Sequence, residues 1–198
     1  MKSLITSILF LLLAIPAAIA QNDKQFLLDY YSSTEAELQQ SIAGLSEAQL
    51  HFKATPESWS ISQCLEHIIK TEQMIFGMVK PGLEQPANID EMGTPVNTDE
   101  KIIAMVTDRS TKYKAPETLL PDGKYNSPEA AMDDLKAGRV EILALINSTP
   151  DATLRNHVSE SPAGLVDAYQ NFLFLAGHTV RHTLQLQEVK EDPAFPKS

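Results

Sequence analysis

Leu165-Val-Asp-Ala-Tyr169-Gln-Asn-Phe172-Leu-Phe-Leu-Ala-Gly-His178-Thr-Val-Arg181-His182-Thr-Leu-Gln185-Leu-Gln-Glu-Val-Lys190 decides the fold class. Leu165, Tyr169, Phe172, Leu173, Leu175, Ala176, Val180, Leu184 and Leu186 recur at the three- and four-residue steps of one helix face. The helix is expected to open near Ser161-Pro162 or just after and to run to about Glu191, with Pro193 as the stop. Its apolar stripe must be buried against other elements.

Three more long helical patterns precede it. Residues 23–42 carry Phe26, Leu27, Tyr30, Tyr31, Leu38 and Ile42, and Gly44 ends them; Ser46 can cap a short extra turn to Leu50. After the linker at 55–60, Ser60 is an N-cap with Gln63 at the capping-box position, and Ile61, Cys64, Leu65, Ile68, Ile69, Ile75 and Phe76 follow as far as Pro81-Gly82. Ser127-Pro128-Glu129 opens the third, with a core face of Ala131, Leu135, Val140, Ile142, Leu143 and Leu145. Residues 81–98 and 110–126 read as loops around a modest helix at 98–109. Strand patterns are scarce. The expected fold is all-α, an antiparallel up-down four-helix bundle with a long loop-and-short-helix excursion between helices two and three.

The first twenty residues, MKSLITSILFLLLAIPAAIA, have the anatomy of a signal peptide. Lys2 precedes an apolar run at 4–15, and Ala18-Ile19-Ala20 supplies the cleavage pattern. The run is short for a membrane span of about 20 residues, so cleavage after Ala20 is expected, leaving one domain at 21–198 with no stable membrane anchor, in the periplasm or secreted. The chain carries 16 basic and 26 acidic residues, a net charge of −10, and shedding Lys2 makes it more acidic still. Such a chain repels phosphates and has no basic stripe, which argues against nucleic acid. The lone Cys64 has no intramolecular partner for a disulfide and falls on an apolar helix side, as a small core residue does.

His178 and His182 are four apart and therefore stacked on one helix face. Two neutral imidazoles so placed can grip one ion, although locally bonded histidines share the same spacing. His67, beside the apolar stripe of the second helix, can complete a set of three if helices two and four face each other. Three protein ligands leave a coordination position open for water or substrate. Gln185, one turn past His182, can hold a ligand imidazole from behind or be a solvated helix residue. Glu66 and Glu72 flank His67 and can orient it or serve as a base, or be ordinary surface acids. Arg181 is a candidate anion binder or a partner for a carboxylate on a neighbouring helix, and His157 a candidate for the mouth of the site; His51 falls outside it. Trp59 reads as a plug at the bundle end. No side chain is singled out as catalytic.

The stretch Pro56-Glu-Ser-Trp59-Ser60-Ile-Ser-Gln-Cys-Leu65-Glu66-His67-Ile68 resembles the signature around the first metal histidine of the DinB-like four-helix bundles. His178-Thr-Val-Arg181-His182-Thr-Leu-Gln185 resembles that family's second signature, H-x2-R-H-x2-Q. Asp108-Arg109-Ser110, Ala115-Pro-Glu117, Glu188-Val-Lys190 and Phe195-Pro-Lys197 fit a bacterial subgroup of it. The resemblance implies a divalent ion, zinc or nickel first and iron or manganese as alternatives, held by His67, His178 and His182. Relatives include metal-dependent hydrolases and thiol-dependent transferases and isomerases. The leader departs from that pattern, because the thiol cofactors belong to the cytoplasm. The functional expectation is an exported metal-dependent, hydrolase-like enzyme acting on a small molecule. A non-catalytic metal- or ligand-binding bundle, a thiol-dependent S-transferase relative and a helical interaction module, as a homodimer, are the alternatives.

Overall fold

A computed structural model describes residues 22–197, so the leader assigned to residues 1–20 lies outside the described residues. Four long helices make the bundle: α1 (Asn22–Ile42), α3 (Ile61–Leu83), α6 (Pro128–Ser148) and α8 (Ala168–Lys190). Short helices α2 (Glu47–His51), α4 (Ile89–Met92), α5 (Asp99–Thr107) and α7 (Asp151–Asn156) lie between them. Ser46 and Ser60 each close a capping box, with Gln49 and Gln63, and the hydroxyls of Thr98 and Ser127 accept from Lys101 and Ala130. No helix among the described residues is long and apolar enough to cross a membrane.

The four-helix bundle is the fold the sequence leads one to expect, but its helices do not simply alternate. Tyr169 Oη donates to the Asp23 carbonyl (2.7 Å) at one end, and Lys190 Nζ donates to the Ser41 carbonyl (2.8 Å) at the other. α1 and α8 are therefore parallel neighbours. Ser62 Oγ bonds Tyr125 just ahead of α6, and Lys80 pairs with Glu141 at 3.8 Å, so α3 and α6 also run side by side in one direction. α3 meets α8 antiparallel: Ile75 and Val79 pack with Phe172 and Leu173, whereas Ile61 and Leu65 pack with Leu186 and Val189. The order is up-down-down-up. The excursion is long because residues 84–127 must carry the chain back along the whole bundle before α6 can start.

Two further differences have local causes. α8 begins at Ala168, not near Ser161-Pro162. Residues 158–167 instead form an antiparallel hairpin, β1 (Val158–Ser161) with β2 (Gly164–Asp167), whose turn uses Gly164 at φ +94°. Val158 and Val166 are buried while Ser159 and Glu160 are exposed, and strands of four residues with no regular alternation leave no strand signal in the sequence. Asp167 then caps α8 in a box with Gln170. On α6, Ala131, Leu135 and Ile142 are buried as expected, but Val140 is 67% exposed and Arg139 beside it, 1% exposed, takes its place in the core. Ala131, Leu135, Arg139, Ile142 and Ile146 form the real stripe, one polar letter inside an otherwise apolar period.

α5 is pressed onto α8 at Gly177, where a Cβ would sit 2.4 Å from Val106 Cγ1 and 3.4 Å from Tyr30 Oη. Val106 is stiff at χ1 and cannot swing clear. Gly177→Ala is expected to cost about 1–3 kcal/mol through overpacking, read as a lower urea midpoint; an unchanged midpoint would show that α5 yields freely.

Candidate metal centre

α3 and α8 face each other antiparallel, and this brings His67, in the second turn of α3, level with the turn of α8 that carries His178 and His182. The ring centroids are 5.0 Å apart for His67 and His178, 4.8 Å for His67 and His182, and 4.4 Å for His178 and His182. One ligand nitrogen from each lies within 4.8 Å of the other two, and all three residues are buried. His178 Nε2 and His182 Nε2 are 3.0 Å apart. Nitrogens bound tetrahedrally to one zinc ion at 2.0–2.1 Å lie about 3.3–3.4 Å from each other, so small shifts would accommodate an ion.

The outer nitrogens show how the rings are set. His67 Nδ1 is 2.9 Å from the Leu119 carbonyl, in the 3-10 turn Glu117–Leu119 of the excursion. A carbonyl only accepts, so Nδ1 carries the proton and Nε2 keeps its lone pair. His182 Nδ1 is 2.9 Å from Gln185 Oε1 and donates to it, which again leaves Nε2 bare. His178 Nδ1 is buried with no partner in the protein. With His182 Nε2 bare, the 3.0 Å contact is a hydrogen bond donated by His178 Nε2–H, and an ion seated among the rings would take that proton's place, a role that neutral imidazoles suit. Trp59 lies 4.8 Å from the His67 ring and 6.0 Å from that of His182, and Phe174 stacks 5.6 Å from His178. Trp59 thus walls the cluster as well as packing.

Burial pushes His67 below its ordinary pKa, and burial with the neighbouring imidazoles pushes His178 well below it. Burial, then His67, takes His182 down to about 3. All three are neutral at pH 7, the form that binds metal. In the unfolded chain they take up protons near pH 6.5. Between there and the depressed folded values the unfolded state binds more protons, so stability falls as pH drops. Metal-free protein should lose up to about 1.4 kcal/mol per pH unit per histidine below pH 6.5. Urea titrations at pH 7, 6 and 5 check this; a flat profile would mean that the rings are protonated in the fold.

The remaining candidates divide. Gln185 holds His182. Glu66 does not touch an imidazole: its Oε2 accepts the backbone N–H groups of Asp122, Gly123 and Lys124, and Lys70 pairs with Oε1 at 2.7 Å. It pins the segment whose Leu119 carbonyl orients His67. Glu72 faces away from the cluster and pairs with Arg139 in the core (2.7 Å). Arg181 donates to the carbonyls of Val106, Asp108 and Thr111 and lies over Tyr113, tying the excursion to α8 instead of facing a ligand or a carboxylate. His157 stands apart at the end of α7, between the Thr153 and Gln85 carbonyls (2.7 and 2.9 Å), next to the start of α8 and far along that helix from His178. His51 bonds Asn126 (2.8 Å). Cys64 is fully buried, and burial raises its thiol to about 12, as befits an inert core residue. The roles of the Leu119 carbonyl and Arg109 were not foreseen: a backbone acceptor has no letter in the sequence, and Arg109 reads only as the last residue of the modest helix at 98–109.

A buried trio of imidazoles at the seam of an irregular four-helix bundle defines a class of helical proteins suited to hold one ion between two of their long helices. The chain belongs to the DinB superfamily, whose sequence profile matches residues 30–186. It is 26% identical over 164 residues to the uncharacterized protein YuaE of Bacillus subtilis (strain 168), covering 83% of this chain and 97% of that one. In structure it is similar to YfiT from Bacillus subtilis, described as "a probable metal-dependent hydrolase with an unusual four-helix bundle topology". The TM-score is 0.62 at 15% identity, over 91% of this chain and 93% of YfiT. That likeness establishes the fold, and the family membership agrees with the signatures around His67 and His178–His182.

Proposed function

We propose that this chain is an exported protein that binds one divalent ion through His67, His178 and His182 and acts as a hydrolase-like enzyme on a small molecule. The observation that carries the reading is the convergence of three buried, neutral imidazoles with a ligand nitrogen from each within 4.8 Å. Zinc or nickel fits an all-imidazole set better than iron or manganese, which favour more oxygen. When bound, such an ion supplies Lewis-acid chemistry, polarising a carbonyl or activating water. The chain's own part is to hold the imidazoles neutral and aimed, through Leu119 and Gln185, and to wall the site with Trp59 and Phe174. The description of YfiT and the composition of residues 1–20 support hydrolysis and export respectively.

One observation favours the non-catalytic reading. The two carboxylates nearest His67 in sequence are both occupied, Glu66 by the excursion backbone and Glu72 by Arg139, so neither stands ready as a base. Metal analysis of untagged mature protein, followed by assays on small esters, lactones and amides, separates the two. One equivalent of metal with metal-dependent turnover is expected. Stoichiometric metal without turnover would favour binding alone, and metal-free protein that takes up none would end both readings.

A further inference from the structure

We propose that Arg109 is a positioning residue of the three-histidine centre, acting through Gln185 to fix which nitrogen of His182 carries the proton. The proposal builds on the reading of that centre as a metal site.

The two outer hydrogen bonds differ in kind. His67 is held by a backbone carbonyl, which can only accept. His182 is held by a primary amide, which has an accepting and a donating end of nearly the same shape. If the Gln185 amide turned over, its NH2 would donate to His182 Nδ1. The imidazole proton would then sit on Nε2, the nitrogen that faces His178 across 3.0 Å. A protonated nitrogen has no lone pair for an ion. Something must choose the amide's orientation.

Arg109 is placed to do so. It follows α5, and its Nε and Nη2 form a fork on Glu188, at 3.1 and 2.8 Å. That fork leaves Nη1 directed at Gln185 Oε1, 3.4 Å away, the same oxygen that accepts from His182. A guanidinium only donates, so a turned amide would set donor against donor at Arg109. Gln185 and Glu188 are three apart on α8 and share one face, so a single arginine reaches both. The chain Glu188, Arg109, Gln185, His182 thus fixes Gln185 Oε1 as the acceptor of both the guanidinium and the imidazole, linking the edge of the bundle to the centre.

Long-range proton–nitrogen correlation spectra of metal-free, 15N-labelled protein read the His182 tautomer without any ion present. Wild type should show the proton on Nδ1. Arg109→Met should populate the Nε2–H form and weaken zinc binding roughly tenfold, the scale of an outer-shell loss. Adding Gln185→Glu to Arg109→Met should restore the Nδ1–H form, because a carboxylate only accepts; a merely structural role for Arg109 would not be rescued this way. An unchanged tautomer in Arg109→Met overturns the proposal. If that variant does not fold, Glu188→Ala, at an exposed position, frees the guanidinium instead: a shifted tautomer supports the relay and an unshifted one overturns it. Wild type that shows the tautomer response but binds no zinc would sink the metal reading and leave the relay intact.

Discussion

Arg139→Ala is expected to destabilise the protein by about 3–5 kcal/mol, the scale for breaking a buried ion pair from one side. Arg139 is 1% exposed and touches all four long helices. Its Nη2 donates to Glu72 on α3 (2.7 Å) and to Thr179 Oγ1 on α8 (2.8 Å); its Nη1 donates to the Tyr31 carbonyl on α1 (3.1 Å). Glu35 lies 3.7 Å away. Truncation opens a cavity and also leaves the buried Glu72 carboxylate without its cation. For a chain of this size the loss should lower Tm by roughly 10 °C or more. Replacing both partners, Arg139→Met with Glu72→Met, removes the stranded charge and should cost less than Arg139→Ala alone. Thermal and urea unfolding of the two variants measure this. An Arg139→Ala protein within about 1 kcal/mol of wild type would show that Glu72 finds another partner.

The second large effect is expected at the histidines. His67→Ala should abolish stoichiometric metal binding, because His67 is the only one of the three contributed by α3 and its loss leaves an i, i+4 pair on one helix. Affinity should fall by more than the ~100-fold that losing an outer-shell partner costs. His182→Ala should do the same, taking with it the anchor to Gln185. Zinc at 100 times Kd stabilises a folded protein by about 2.7 kcal/mol, and that increment should vanish in both variants. Calorimetric titration and thermal shift with and without zinc provide the readings. A variant that keeps a full equivalent would remove its residue from the assignment.

Much of this was legible in the sequence. The serine caps, the apolar stripes and the H-x3-H spacing mark the long helices and two of the three rings. His67 joins them through the packing of α3 on α8, which periodicity cannot supply and the resemblance to a known signature did. Arg139 was missed because periodicity counts it as polar and turns it outward, whereas its four partners come from three other helices. Glu66 and Glu72 show the same difficulty: one letter, one helix and six positions apart, yet one binds a loop backbone and the other a core arginine. The order of helices around the bundle has no signature in any single helix. It follows from where the excursion delivers the chain.

The up-down-down-up order also fixes when the centre can come into being. His67 lies on the second long helix, while His178 and His182 lie on the last, and the excursion and α6 are made in between. A growing or partly folded chain therefore offers at most the His178–His182 pair of α8, without the third imidazole. The trio exists only after α8 has slid in beside α1 and met α3, a contact between distant parts of the chain and hence among the slower ones to form. An ion held there would report that the C-terminal helix has docked, and would bolt the last element to arrive onto one of the first.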